Sequence, residues 1–192
     1  MDCLYLLVDA GDTSEVFAAE DAGFRLMDVR VELERATAPE PAAVREQRLG
    51  DVDALRAIAR VSHGDTRFYA DPRFPDDRCD ELYDTWIRRS CEGWADVVLV
   101  TDDDTPSGYV SVHADPVASF GSIGLIAVAE EARGHGLGRE LARGAVDWCD
   151  SNELGRITVA TQARNVDAQR VFQQAGFRTY SVKISFHKWY ER

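Results

Sequence analysis

The chain has 192 residues, a length that fits one domain with a small appendage and can bury a core without disulfides or metal ions. It carries 22 Lys and Arg against 34 Asp and Glu, so its net charge is −12, and this acidity makes nucleic acid and anionic membranes poor partners. Its longest apolar stretches fall far short of the ~20 residues of a membrane span, and residues 1–9 lack a secretory signal. These features predict a cytoplasmic protein.

The amino-terminal segment predicts a strand at 3–8, a helix at 13–22 with Thr13 as its cap, and a strand at 26–33. A stretch rich in Pro and Ala follows at 36–41 and predicts an exposed connector. We therefore expect a small β-α-β unit over residues 1–35 and a larger domain over residues 42–192. The Ala-Gly-Phe-Arg sequence of this unit recurs at 175–178, which indicates either a duplication or two ordinary helix ends with glycine.

The larger region alternates strand and helix patterns in a recognisable order. Helices are predicted at 51–62 and 75–91, strands at 95–101, 108–114 and 122–128, a long helix to about 151, a strand at 157–161, a helix at 166–174 and a last strand at 179–188. Consecutive strands followed by strand–helix alternation predict an α/β fold with a mixed, mostly antiparallel sheet flanked by helices. The four cysteines form no Cys-x-x-Cys pair, so we predict reduced thiols and no metal site.

The most informative segment runs from 123 to 138. It is a buried strand, an acidic turn, then Arg133 and three alternating glycines ahead of a helix. Glycines let a ligand approach the backbone, and the amides at a helix start favour a pyrophosphate, although such a turn can also simply pack a helix on a strand. A Walker loop is excluded because Gly-Lys-Ser and Gly-Lys-Thr are absent, and Leu141 stands where a dinucleotide fingerprint needs Gly or Ala.

Arg133, Gly136 and Gly138 match the pattern Arg/Gln-x-x-Gly-x-Gly/Ala, and the segment resembles the acyl-CoA signature of the GNAT superfamily of N-acetyltransferases. The strand before it and the strand–Asn165–helix unit after it extend the likeness. The resemblance implies a GNAT-like sheet and acetyl-CoA as acyl donor, with the pantetheine arm on the strand and the pyrophosphate on the glycine loop. The implied cofactor-binding residues are Ile126, Ala127, Val128, Arg133, Gly134, His135, Gly136, Leu137, Gly138, Asn165 and Phe172.

A second resemblance concerns residues 66–72 and 81–87, which are similar to the acceptor-side segment of dTDP-fucosamine acetyltransferases. It implies that Arg67 pairs with a diphosphate and that Phe68, Tyr69 or Trp86 stacks on a base or a sugar. The helical spacing of Tyr83 and Trp86 equally predicts core packing. Because such proteins usually carry more residues before the first strand, the resemblance also implies a shortened amino terminus.

The family commonly uses a tyrosine, seven residues after the position of Asn165, to protonate the leaving thiolate. Phe172 stands there, so we predict Tyr180 as the substitute acid, with His113 and Asp115 as candidate bases. The resemblance implies an acetyl-CoA-dependent N-acetyltransferase acting on a small amine, with no nucleic acid or membrane partner and a homodimer left open. The alternative is a catalytically weak acyl-CoA-binding module with a sensing or assembly role.

Overall fold

Eight strands form one mixed sheet in the computed structural model, which describes residues 2–190. The strands are β1 (Asp2–Asp9), β2 (Arg25–Ala36), β3 (Val44–Glu46), β4 (Val97–Thr101), β5 (Gly108–Asp115), β6 (Phe120–Val128), β7 (Arg156–Gln162) and β8 (Arg178–Tyr190). Their order across the sheet is β1-β8-β2-β7-β6-β5-β4-β3. Among the described pairs, β6 and β7 run parallel and the others antiparallel. The predicted fold class is confirmed.

Six α-helices flank the sheet within the described residues. They are α1 (Thr13–Asp21), α2 (Val52–Ser62), α3 (Arg67–Ala70), α4 (Asp76–Arg89), α5 (Leu137–Ser151) and α6 (Val166–Gln174). A π-helical turn, Ser90–Trp94, follows α4, and two 3-10 turns precede α2 and the glycine loop, Leu49–Asp51 and Glu130–Ala132. The sequence patterns did not predict α3, β3 or the π turn, which are too short to show a period. In residues 2–190 no helix has the length and apolar character needed to cross a membrane.

The apolar side chains of the strands alternate between two helical layers. α5 and α6 cover the face that carries Leu33, Leu99 and Ile157, whereas α2 and α4 cover the face that carries Val100 and Tyr109. Successive strand residues point to opposite faces, so the period-two pattern of the sequence feeds both cores. The layer of α2, α3 and α4 forms one wall of the cavity described below.

The amino-terminal unit shares the sheet with the rest of the chain. β2 lies between β8 and β7 and pairs with both. The division into domains at residues 1–35 and 42–192 stays a prediction. The two Ala-Gly-Phe-Arg turns have the same conformation: Gly23 and Gly176 have φ of +78° and +85°. The helix before each turn begins with a side-chain cap, Asn165 for α6 and Asp12 for α1, which corrects the prediction that Thr13 caps α1. Asp12 precedes Thr13 and accepts from the Glu15 amide.

Candidate active site

A cleft opens where β6 and β7 separate. The two strands pair from Phe120 and Arg156 to Ile123 and Val159, after which no strand partner faces β6 on this side within the described residues. Gly124–Val128 therefore present backbone groups to the cleft. A free strand edge of this kind binds an extended ligand arm through directional hydrogen bonds that require no particular side chain.

A β-bulge lies in β6 at the start of the cleft. Gly124 and Leu125 both stand opposite Ser111 of β5, and the Leu125 amide donates to the buried Ser111 Oγ at 2.9 Å. A Cβ atom at Gly124 would lie 3.0 Å from Ser111 Oγ and 3.0 Å from His113 Nε2, so any other residue would crowd these two side chains. Bulges bend the strand and redirect the residues that follow. This bulge marks the point where β6 leaves β7.

The glycine loop forms an open set of backbone amides at the start of α5. Gly134 and Gly136 both have φ of +83°, a conformation that disfavours other residues. No side chain caps α5, and in the part of the chain that the structure describes the amides of residues 134–138 donate to no protein group. Unpaired amides at the positive end of a 15-residue helix suit an anion such as a pyrophosphate. Arg133 Nε donates to the Val128 carbonyl at 3.1 Å, which ties the loop to the end of β6.

A cavity of about 400 Å³ joins this cleft to the layer of α2, α3 and α4. Its floor is formed by β2, β6, β7 and β8, and its wall by residues 62–68 and two aromatic residues of α4. It brings together seven of the predicted site residues: Arg67, Phe68, Trp86, Ile126, Asn165, Phe172 and Tyr180. The molecule therefore has one continuous space between a free strand edge and a polar, aromatic wall.

Comparison with known proteins assigns this architecture. The family model described as Acetyltransferase (GNAT) family matches residues 55–177. The chain belongs to the GNAT acetyltransferase family. This membership confirms the expectation of an N-acetyltransferase and places the bulged strand and the glycine loop inside the matched region.

Relatives and solved structures of GNAT proteins resemble the chain over most of its length. The dTDP-fucosamine acetyltransferase of Escherichia coli is 30% identical over 180 residues, covering 91% of this chain and 76% of that protein. The spore coat polysaccharide biosynthesis protein SpsD of Bacillus subtilis is 25% identical to this chain. The match covers 73% of this chain and 48% of SpsD. A GCN5-related N-acetyltransferase structure from Sphaerobacter thermophilus has a TM-score of 0.69 at 19% identity, over 97% of this chain and 59% of that one.

On the donor side of the GNAT cleft, the structure gives several predicted residues definite local partners. Asn165 Oδ1 accepts from the Ala168 amide at 3.0 Å, so this side chain caps α6 whether or not it also meets a cofactor. The Phe172 side chain is 2% exposed and meets the Phe177 ring at 5.8 Å, so it packs in the core and borders the cavity. His135 Nδ1 lies 3.3 Å from the Ala132 carbonyl oxygen. The cofactor role of these residues stays a prediction.

Tyr180, the predicted acid, lies at a β-bulge in β8. β2 pairs Glu32 with Ser181 and Leu33 with Thr179, which leaves Tyr180 as the extra residue. Its side chain is half exposed and lines the cavity. Partial burial, assisted by the negative charge of Glu32, raises the pKa of Tyr180 above its ordinary value. The phenol is therefore protonated at neutral pH and able to donate a proton.

On the acceptor side, Arg67 and Trp86 present buried polar atoms. The Arg67 guanidinium carbon lies 4.8 Å from the centroid of the Phe68 ring and 5.1 Å from that of the Tyr5 ring, while Arg67 Nε is buried without a hydrogen-bond partner. Trp86 stacks on Tyr83 with 6.1 Å between ring centroids, and its Nε1 is also buried without a partner. Both residues line the cavity, so two hydrogen-bond donors lie in the same wall.

Three residues predicted as bases or acceptor contacts lie outside the cavity lining. The Tyr69 hydroxyl donates to Asp80 Oδ1 at 2.6 Å, so Tyr69 braces α3 against α4 instead of facing the cavity. Asp115 Oδ1 accepts from the Val117 and Ala118 amides and shapes the turn before β6. The third residue, His113, packs edge-on against Trp94 with ring centroids 4.9 Å apart. Packing and turn formation account for all three positions.

The cavity also holds residues that the sequence patterns did not indicate. His63 stacks on Tyr83 at 4.4 Å, with its Nε2 3.0 Å from the Tyr109 hydroxyl oxygen, and burial lowers the pKa of His63 to about 4. This imidazole is therefore neutral at physiological pH. Asp28 of β2 is buried at the opposite side of the cavity, and its Oδ1 has no hydrogen-bond partner. Polar residues that alternate with apolar ones in a strand usually face solvent, so the sequence pattern gave no sign that Asp28 is buried in a cavity.

Cys3, Asp71 and His187 bring three atoms of metal-ligating type within 4.8 Å of one another, the one such group in the described residues. Hydrogen bonds already explain this cluster. Asp71 Oδ2 lies 2.8 Å from His187 Nδ1 and accepts from Trp189 Nε1 at 2.8 Å, which fastens the segment after α3 to β8. All four cysteines are free thiols.

Proposed function

We propose that this GNAT protein transfers an acetyl group from acetyl-CoA to the amine of a nucleotide-linked amino sugar. The observation that carries the proposal is the continuous cavity, because it joins the free edge of β6 to a wall with Arg67, Phe68 and Trp86. The name of the relative that matches 91% of this chain, dTDP-fucosamine acetyltransferase, supports an amino sugar as the acceptor. The polysaccharide biosynthesis protein of Bacillus subtilis points to the same broad chemistry.

The donor side fits acetyl-CoA in the chemistry of its groups. The unpaired amides of residues 134–138 suit the pyrophosphate, and the free edge of Gly124–Val128 suits an arm that carries amide groups. When bound, acetyl-CoA supplies the acetyl group as an activated thioester. The acceptor nitrogen must reach that group from the α2–α4 side, since the cavity extends there.

The chain's own residues then have distinct tasks. The amide of Ile126, on the free edge of β6, orients the donor and polarises its carbonyl oxygen. As the amine nitrogen bonds to the thioester carbon and the C–S bond breaks, Tyr180 gives its hydroxyl proton to the departing thiolate, and the proton released by the nitrogen returns to the phenolate through solvent. The aromatic residues of α3 and α4 exclude water and hold the ring of the acceptor. Cytoplasmic location, like these roles, stays a prediction.

Release of CoA, followed with a thiol reagent, tests the proposal. The protein is mixed with acetyl-CoA and one of three amines: a dTDP-linked amino sugar, the same amino sugar without the nucleotide, and a peptide with a free amino terminus. We expect turnover with the dTDP-linked sugar and a higher Km for the free sugar. Binding of acetyl-CoA without turnover on any of these amines would overturn the proposal, as would a preference for the peptide.

We predict that Arg67→Ala raises the Km for the nucleotide-linked acceptor about 10-fold and leaves the Kd for CoA unchanged. The reason is that a charge-assisted hydrogen bond to phosphate contributes about 1.5 to 3 kcal/mol. Steady-state kinetics with each substrate varied in turn measure the effect. Arg73→Ala is the matched control, because Arg73 stacks on Trp189 at 5.8 Å and does not line the cavity. Equal changes for both substrates in Arg67→Ala contradict the role.

A further inference from the structure

We infer that Asp28 binds the amino group of the acceptor and makes the site select an amine over a hydroxyl group at the same position of the sugar. The inference rests on the proposed function and adds a specificity residue to it. Its starting point is the placement of Asp28. In β2, Asp28, Arg30 and Glu32 alternate onto one face, and all three line the cavity opposite the wall of α3 and α4.

Asp28 differs from the other carboxylates of the cavity in having unused hydrogen-bonding capacity. It is 3% exposed, its Oδ1 makes no hydrogen bond, and the nearest cation, Arg164 Nη2, lies 3.5 Å from that atom. Glu32 is instead held by Arg30 at 2.9 Å and Lys183 at 3.2 Å. Asp65 is exposed to solvent. The ion pair with Arg164 leaves this buried oxygen without a hydrogen bond, which is unfavourable, so a donor that reaches Asp28 gains more than one that reaches Asp65.

The chemistry of the unpaired atoms indicates what this donor is. An ionised carboxylate only accepts hydrogen bonds, so Asp28 recognises an N–H group, and the neutral amine that attacks the thioester carbon has two of these. The opposite wall offers Arg67 Nε and Trp86 Nε1, which only donate. An acceptor with a basic amine at one end and hydroxyl or phosphate oxygens elsewhere satisfies all three atoms. A neutral sugar leaves Asp28 with its ion pair to Arg164 but leaves Oδ1 without a hydrogen bond.

The raised pKa of Asp28 indicates that this carboxyl does not stabilise the fold, which supports a role in binding. Burial raises the pKa of Asp28, and the charge of Arg164, the backbone amide of Val29 and the charges of Arg67 and Arg30 offset this only in part. A carboxyl whose pKa is higher folded than unfolded makes the fold less stable as pH rises through that range. The Tyr83 phenol of α4, which donates to Thr66 Oγ1 at 2.8 Å, also feels the charge of Asp28, and burial, chiefly, raises the pKa of Tyr83 to about 12, so this phenol stays neutral. Ionisation of Asp28 therefore lowers the stability of the protein without its ligand.

Asp28→Asn tests the inference in the full chain. We expect the Km for the dTDP-linked amino sugar to rise about 10- to 50-fold, the Kd for CoA to stay unchanged, and the Tm to be higher than that of the wild type at neutral pH. Asp65→Asn removes the same charge from an exposed position of the same cavity and should leave the Km within about 2-fold. An unchanged Km in Asp28→Asn, or an equal rise in Asp65→Asn, overturns the role.

A second measurement needs no variant and covers the case in which Asp28→Asn does not fold. The dTDP-linked sugar that carries a hydroxyl group in place of the amine should compete with the amine substrate at least about 10-fold more weakly in the wild type. Equal affinity for the two compounds overturns the inference. If the wild type acetylates the amine substrate but binds the hydroxyl compound equally well, the role of Asp28 is wrong and the proposed function stands. If the wild type acetylates none of the amines, both the proposed function and the role of Asp28 are wrong.

Discussion

Gly138→Asp should weaken CoA binding by about 10³-fold while the protein stays folded. The side chain would stand in the second residue of α5, beside the amides proposed to bind the pyrophosphate. Two like charges about 4 Å apart repel by about 4 kcal/mol at the effective dielectric constant of a protein surface. Calorimetric titration gives the Kd, and the rise in Tm on adding CoA, ~2.7 kcal/mol of stabilisation at 100 times the Kd, provides a second readout.

Position 138 tests the glycine loop best, because a substitution there adds a charge without straining the backbone. A Cβ atom there would lie 3.5 Å from Val171 Cγ1, an ordinary contact, and Gly138 has no positive φ. Gly138→Ala therefore keeps the fold and most of the affinity, which isolates the effect of the charge. Gly136→Asp is less informative because its φ of +83° strains any side chain. Wild-type affinity in Gly138→Asp contradicts the assignment of the loop.

The glycine loop was predictable from the sequence because its signal is local. A buried strand, a turn with Gly134 and Gly136, and an amphipathic helix follow one another within 20 residues, and each part has a known backbone preference. The same locality explains the small error at α1. Asp12 and Thr13 are adjacent cap formers, and propensity alone does not decide which of them stands outside the first turn.

The acceptor side was less predictable because it depends on contacts between distant segments. Asp28 faces the cavity only because β2 lies between β8 and β7, which are more than 120 residues away in sequence, and because α3 and α4 cover that face. The pattern of Arg67 to Tyr69 indicated aromatic stacking at both rings. Only the fold shows that Tyr69 turns to Asp80 while Phe68 lines the cavity. Register and layer order carry this information, and neither is visible in a local pattern.

The acid position yields a pair of variants with opposite expectations. Tyr180→Phe should lower kcat at least about 100-fold, the lower limit for a placed proton donor, with little change in either Km. Phe172→Tyr should leave kcat within a few-fold of the wild type, since the acid is already supplied. Single-turnover acetyl transfer and steady-state kcat, measured side by side, show whether the loss lies in the chemical step.

The environments of the two positions give the reason for this asymmetry. Tyr180 is half exposed on a bulge of β8, and its raised pKa keeps the phenol protonated at neutral pH. Phe172 is 2% exposed against Phe177, so a hydroxyl added there enters a packed core and lowers the Tm.

If deprotonation of Tyr180 causes the wild-type kcat to fall at high pH, this fall should be absent in Tyr180→Phe, whose kcat is lower at every pH. If Tyr180→Phe keeps full activity and Phe172→Tyr gains 100-fold, the acid belongs at the family's usual position and Tyr180 only lines the cavity. If neither variant changes kcat, water protonates the thiolate and no side-chain acid limits the reaction.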